Sequence, residues 1–398
     1  MRVCLVVLLS DSGTLVYGAK LARYTLKEAG LIEISLVGNS DACSRLSKHA
    51  LGELKERVVK CWRRNGLLLP LRLAACVRRL KCDLAHVQFE YSTFGSPFFS
   101  HQALLLSTAI MRALGARVVV TLHGVLLPRH VRGKTPLPEP LVRKALPLYY
   151  RLLAMSVDAI VVLNDFQRRI LASYGVPAEK LRVIPHGAEV GRAGSSKPSA
   201  RRREQAVVLF HGFIRPSKGL HHLIDAIDML TGKGYNIKLK ILGSLPYQWR
   251  ERREEREYLR RLIARLRKMG RCVELVLFPS EERVLEEVSA CDVIVLPYTD
   301  NYIESSGVLH LLMACGKPLV LSSTPRFLAD VSPRDGCIMV RPNASEIARA
   351  LEGLLNSGRV KRRQGTLHSK ALGRRWEVVA RKHIKLYGEV LLKNTLRN

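Results

Sequence analysis

Arg215 and Lys218 stand close together in the run Leu209-Phe210-His211-Gly212-Phe213-Ile214-Arg215-Pro216-Ser217-Lys218-Gly219-Leu220. An apolar run, 206–210, precedes them and helical spacing follows, so they fall between a strand and a helix start. Two cations beside the free N–H groups of a helix start would neutralise a diphosphate, whereas a solvated loop lysine is the plainer alternative. Ser305-Ser306-Gly307 carries related chemistry: hydroxyls and free N–H groups between the strand-like 293–298 and a helix that Gly316 stops. Taken alone, a serine there reads first as an N-cap. The two loops end strands of one sheet, so they could face one anionic ligand.

The first half offers its own polar groups at strand ends. Gln88 and Glu90 share one face at the end of 84–89, and His123 follows the strand 117–122. Polar residues there suit a binding cleft, although a single histidine is more often structural. Ser10-Asp11-Ser12-Gly13-Thr14 lies between a strand and a helix, where Gly13 permits close backbone approach. There is no GxGxxG, so a dinucleotide is not implied. His186-Gly187 reads as a turn closing the half.

The elements that must position these groups alternate. Strands are expected at 3–9, 31–37, 84–89, 117–122, 158–163 and 181–184, then at 206–210, 237–242, 272–277, 291–296, 318–321 and 337–340, with helical spacing in most of the gaps. Their continuous Val/Ile/Leu character argues for strands buried on both faces, hence two doubly wound α/β domains. Gly191 to Arg203 is rich in Gly, Ser, Pro and Arg and reads as a linker. The tail from Trp376 to Leu391 is apolar at helical spacing and reads as one amphipathic helix. The expected boundaries are an N-terminal domain over 1–190, a C-terminal domain over 205–372 and a closing helix over 373–398.

A net charge of +31 points to a polyanionic neighbour, nucleic acid or an anionic membrane surface. The stretch Lys55–Lys81 is strongly basic and interrupted by leucines, which fits a membrane-surface segment and equally a solvated helix pair. The Arg/Glu mixture of 250–268 reads as a solvated, ion-paired face. No run is long and apolar enough to span a bilayer. The nine cysteines are scattered without CxxC, which leads us to expect a reducing, cytoplasmic setting and no structural zinc.

In order and spacing, these motifs resemble the GT-B glycosyltransferases of retaining family 4. The resemblance rests on His86-Val87-Gln88-Phe89-Glu90-Tyr91, Thr121-Leu122-His123-Gly124, Val183-Ile184-Pro185-His186-Gly187, Gly212 to Gly219, Leu296-Pro297-Tyr298, and Ser306-Gly307-Val308-Leu309 with Gly316-Lys317-Pro318. It implies two Rossmann-like domains facing a cleft, the N-terminal one for the acceptor and the C-terminal one for the donor. The terminal helix would cross back to the first domain. It implies that Lys218 binds phosphate, with Arg215 displaced from the usual arginine position, where Phe213 stands. Ser306 and Gly307 would meet the phosphates through backbone N–H groups, and Gly212 would lie in the same donor loop. His123 would stand near the reacting sugar and Gly13 in the glycine loop approaching the donor. The family's two glutamates, eight positions apart, fall here on Ile303 and Leu311; Glu304, one residue away, is the group left to reach the sugar.

The expected activity is therefore transfer of a sugar from a UDP- or GDP-linked donor to a hydroxyl acceptor with retention. His123, Glu304, Arg215 and Lys218 would carry the chemistry, and no metal or other cofactor is expected, since no DxD-type motif stands at a strand end. A lipid-linked or cell-envelope glycan is the expected acceptor, at the inner face of a membrane. The alternatives are a sugar-nucleotide epimerase or hydrolase of the same fold and, from a different class, a basic nucleic-acid-binding protein. The last rests on charge alone, for no zinc-finger spacing, RNP motif or aromatic interleaving accompanies it.

Overall fold

A computed structural model of the chain describes residues 1–10, 12–41, 51–131, 138–190, 205–245, 253–357 and 364–395. Asp11 and the expected linker, Gly191 to Arg203, lie outside the described residues. The chain divides into two compact units. Unit 1 comprises Met1–Gly187, Tyr302–Ser305 and Trp376–Asn398; unit 2 comprises Ala188–Asn301 and Ser306–Arg375.

In chain order, unit 1 begins β1 (Arg2–Val6), α1 (Gly13–Glu28), β2 (Glu33–Asn39), β3 (Val58–Trp62), α2 (Leu69–Arg79), β4 (Leu84–Phe89) and α3 (Pro97–Ala113). It continues β5 (Arg117–Leu122), β6 (Gly124–Val125), α4 (Pro128–Val131), α5 (Glu139–Ser156), β7 (Ala159–Val162), α6 (Asp165–Ser173) and β8 (Leu181–Val183). Unit 2 follows with β9 (Ala206–Phe213), α7 (Leu220–Gly232), β10 (Ile237–Ser244), α8 (Arg253–Met269), β11 (Val273–Leu277), α9 (Glu281–Ala290) and β12 (Val293–Leu296). After β13 (Ile303–Glu304), which belongs to unit 1, come α10 (Gly307–Leu312), β14 (Leu319–Ser322), α11 (Pro325–Leu328), β15 (Ile338–Val340), α12 (Ala344–Ser357) and α13 (Gln364–Leu372). The last helix, α14 (Trp376–Thr395), returns to unit 1.

Unit 1 is built on a seven-stranded sheet in the order β3-β2-β1-β4-β5-β7-β8, and unit 2 on a six-stranded sheet in the order β11-β10-β9-β12-β14-β15. Every neighbouring pair in both is parallel. Each sheet reverses its strand order beside its first strand, at β1/β4 and at β9/β12, and such switch points open a crevice at the strands' carboxyl ends. The doubly wound α/β fold expected from the apolar runs is therefore present twice.

The central strands are buried throughout; β4, for example, is buried at all six positions, because helices cover both faces. In unit 1, α2, α3, α5 and α6 pack one face of the sheet. α1 and α14 pack the other, with Trp376, Val379 and Tyr387 in that core. Ser12 caps α1, and its Oγ accepts the Leu15 N–H at 3.2 Å.

Three expectations need correction. The basic stretch Lys55–Lys81 is not a helix pair: Val58–Trp62 forms the edge strand β3, and only Leu69–Arg79 is a full α-helix. The helix before Gly316 ends at Leu312. The scattered cysteines, from which a reducing setting is expected, include two disulfides, Cys4 with Cys82 and Cys61 with Cys76. Strand β1 and the segment before β4, far apart in sequence, run side by side and bring the first pair together, which spacing alone does not reveal.

Candidate active site

The residues expected to meet an anion lie at the switch point of unit 2. β9 ends at Phe213, and Lys218 closes the short turn before α7. Gly219 follows with φ 64°, and a Cβ there would collide with the Pro297 carbonyl, so this backbone contact requires glycine. The Thr299 N–H donates to the Ser217 carbonyl at 3.0 Å, fastening the loop after β9 to the loop after β12.

That fastening gathers a charged cluster. Lys218 Nζ lies 3.7 Å from Asp300 Oδ2 and 3.8 Å from the centre of the Tyr298 ring. Arg326, at the start of α11, holds the other oxygen of Asp300 at 2.9 Å. Both Asp300 and Arg326 are buried, as is most of the Lys218 side chain. Two cations share one carboxylate, so the three groups together keep one positive charge in a poorly solvated place. Tyr298 extends this cluster toward Gly212: its buried hydroxyl lies 3.2 Å from where a Gly212 Cβ would stand. Burial drives the pKa of that phenol upward, which keeps it neutral.

Ser306 is the N-cap of α10, its Oγ accepting the Leu309 N–H at 3.3 Å. Gly307 is exposed in the first turn. His310 Nδ1–H donates to the Ser306 carbonyl at 2.9 Å, while its Nε2 accepts from Arg374, which also holds Asp330 at 2.8 Å. Burial lowers the His310 pKa to about 3, with Arg374 adding to the shift, so the ring is neutral. Arg215, which the sequence pairs with Lys218, instead bonds Glu255 of α8 at 2.8 Å.

Unit 1 holds the other group of residues. β6 and β13 form a two-stranded antiparallel ribbon in which Glu304 stands opposite Gly124. A Cβ on Gly124 would come within 2.8 Å of Glu304 Cγ, so Glu304 packs directly against the residue after His123. Buried Gln167 fastens both strands, donating to the His123 carbonyl at 3.3 Å and the Ile303 carbonyl at 3.1 Å. His123 and Glu304 are thus brought together from distant parts of the sequence. Gly13 opens α1, and among the described residues nothing beyond its chain neighbours and its own helix backbone comes within 4 Å of its Cβ position.

Behind His123 runs a chain of hydrogen bonds that the sequence does not reveal. His123 Nε2–H donates to Gln88 Oε1 at 2.9 Å, and Gln88 Nε2 donates to His86 Nε2 at 3.1 Å. The Thr121 hydroxyl donates to the same nitrogen at 2.7 Å, which leaves the His86 proton on Nδ1, directed to Tyr387 Oη at 2.7 Å. Burial lowers the pKa of His123 to about 3, with His186 and His383 nearby adding to the shift, and pushes that of His86 well below the usual histidine range. Both rings are neutral, and this bonding pattern makes Nδ1 of His123 a hydrogen-bond acceptor. Among the described residues, no group of acids, histidines and cysteines could hold a metal ion.

Comparison with known proteins agrees with this architecture. The family model for Glycosyltransferase Family 4 matches residues 32–192, and that for Glycosyl transferases group 1 matches residues 192–366. The chain belongs to the GT-B glycosyltransferases of family 4 type. It is similar to a glycosyltransferase from Rickettsia africae at 15% identity, covering 98% of each chain, with a TM-score of 0.73. It is similar to Anabaena Alr3699/HepE, solved in complex with UDP-glucose, at 16% identity over 98% of this chain and 100% of that one, with a TM-score of 0.72. The sucrose-phosphate synthase of Thermosynechococcus elongatus, at 16% identity, covers 99% of this chain and 100% of its own, with a TM-score of 0.70. A search of curated proteins returns no match.

Proposed function

We propose that the protein transfers a hexosyl group from a nucleotide diphosphate sugar to a hydroxyl acceptor with retention of configuration. The observation that carries this reading is the buried Lys218–Asp300–Arg326 cluster, with Lys218 over the Tyr298 ring, at the switch point of unit 2. Breaking the bond between C1 of the sugar and the diphosphate oxygen builds negative charge on the departing group. A net-positive, poorly solvated cluster stabilises that charge more in the transition state than in the ground state. The exposed N–H groups at Gly307 would add donors, and Gly212 and Gly13 would admit the donor closely. Arg215 would join the diphosphate by releasing Glu255. The acceptor oxygen bonds to C1 on the face the leaving group vacates, and its proton passes to the leaving phosphate, so no protein base is needed.

His123, through Nδ1, and Glu304 would receive hydroxyls of the sugar. UDP is the favoured carrier, by likeness to the Anabaena protein solved with UDP-glucose, and GDP is the alternative. The cations take the place a divalent ion would fill. The expected acceptor is a lipid-linked or envelope glycan, with the protein peripheral on the inner face of a membrane. Among the described residues no helix is long and apolar enough to cross one.

The test is a thermal-shift series with UDP, GDP and their sugars, followed by transfer from labelled donors and assignment of the product anomer. A UDP-dependent rise in melting temperature that Lys218→Ala abolishes is expected. No response to any nucleotide diphosphate overturns the reading. Sugar release or epimerisation without acceptor would replace transfer by the alternative chemistry.

A further inference from the structure

We propose that the outer face of the α2–α3–α5 layer of unit 1 docks onto an anionic lipid bilayer. This gives the proposed membrane association a location. It rests on that reading for its purpose and on separate observations for its evidence.

A helix layer facing water normally shows charged side chains outward. α8 does so: its outward positions include Arg253, Glu254, Arg256, Arg260 and Arg261. α3 does the opposite. It carries no charged residue from Pro97 to Met111, and its outward stripe is Phe98, Gln102, Leu106 and Ala109. On α5 the outward stripe is Leu141, Leu148, Leu152 and Met155, the last 73% exposed. The turn into α2 presents Leu67, 90% exposed, with Leu68 and Leu71 beside it. All three helices pack the same face of the sheet, so their stripes lie on one surface. Isolated exposed leucines need no explanation, but a surface of this extent does.

The charges around it select the occupant. Exposed Arg63, Arg72, Arg78, Arg79, Lys144 and Arg151 border the apolar stripes. The only acid in the three helices is Glu139, and it pairs with Arg143 at 3.0 Å. Aliphatic side chains ringed by one sign of charge match a bilayer interface, where leucines enter the acyl boundary and long cations reach lipid phosphates. A protein partner would be met by several aromatic anchors and mixed charges, whereas these stripes hold one aromatic, Phe98, and a nucleic acid would leave the apolar stripes unused.

The experiment is flotation of the full chain with phosphatidylcholine vesicles, with and without phosphatidylglycerol, at low and high salt. Binding is expected only to the anionic vesicles and weakens with salt. Leu71→Glu with Leu148→Glu lowers the bound fraction more than tenfold. Arg72→Gln with Lys144→Gln lowers it roughly fivefold per cation removed. Both variants keep the wild-type melting temperature and its response to UDP, which separates docking from donor binding. Absence of flotation, binding that neither variant reduces, or a dimer that the leucine variant dissociates would overturn the proposal. If flotation fails while the UDP response persists, the transfer reading stands without it.

Discussion

The Nδ1–H of His86 donates to the Tyr387 hydroxyl across 2.7 Å, joining β4 to α14 inside unit 1. The same ring accepts from Gln88, which accepts from His123, so α14 reaches a proposed sugar-binding group through two intermediates. Nitrogen-15 spectra of the imidazoles should show His86 protonated on Nδ1 and His123 on Nε2. Gln88→Leu should mix the His123 tautomers and lower kcat about tenfold, the scale of one misplaced hydrogen bond. Tyr387→Phe should cost about 1 kcal/mol of stability. A His86 ring carrying its proton on Nε2 would refute the direction of the chain.

Lys218 and Asp300 set the second expectation. Lys218→Ala should reduce kcat/KM by roughly 10² to 10³, the usual scale for one donor at a developing anion. Lys218→Arg should recover only part, since the longer side chain with its planar, spread charge does not reproduce the compact ammonium held over Tyr298 beside Asp300. Steady-state kinetics at saturating acceptor measure both. Gly219→Ala should be recovered poorly or not at all, because its Cβ has no room beside the Pro297 carbonyl.

The buried histidines make stability depend on pH. Their folded pKa values lie below the ordinary 6.5: about 3 for His123 and His310, about 4 for His383, and lowered for His86, with burial the first cause in each. Below pH 6.5 the unfolded chain takes up protons that the folded chain refuses. Stability is therefore full above that pH and lost as pH falls towards the folded values, by about 1.4 kcal/mol per pH unit for each ring. Melting temperature should fall steadily from pH 7 to pH 5. His383→Leu should make that slope shallower; an unchanged slope would show that this ring does not titrate on unfolding.

The two disulfides give a fourth test. Cys4–Cys82 closes a separation of 78 residues and Cys61–Cys76 one of 15. Chain-entropy arguments assign about 4.5 kcal/mol to the longer closure and about 3 kcal/mol to the shorter. Melting with and without reductant, and thiol counting on the native protein, measure the effect. Four titratable thiols more than expected in the untreated protein would show the bridges absent.

Most strands were legible because their apolar runs are continuous, as in β4 and β12, and no helix of globular length fits between the flanking turn residues. β3 was hidden because an edge strand is only partly buried, and Val58–Trp62 carries Lys60 amid a basic run. The pair β6 and β13 is two residues each, too short for any periodicity. Lys218, Ser306 and His123 announced themselves by type and position at strand ends. Asp300, Arg326 and Gln167 did not: their significance lies in whom they touch, and those partners stand 82, 26 and 136 residues away for Lys218, Asp300 and Ile303 respectively.

Trp376, Val379 and Tyr387 complete the core of unit 1, yet the ribosome makes them only after all of unit 2. A nascent N-terminal half therefore emerges with that side of its sheet covered by α1 alone and must wait for the end of synthesis to complete the layer. Fragments ending near Gly187 would be clients for chaperones rather than independent proteins. Any rearranged version of the gene would have to keep that closing helix covalently within reach of the first strand.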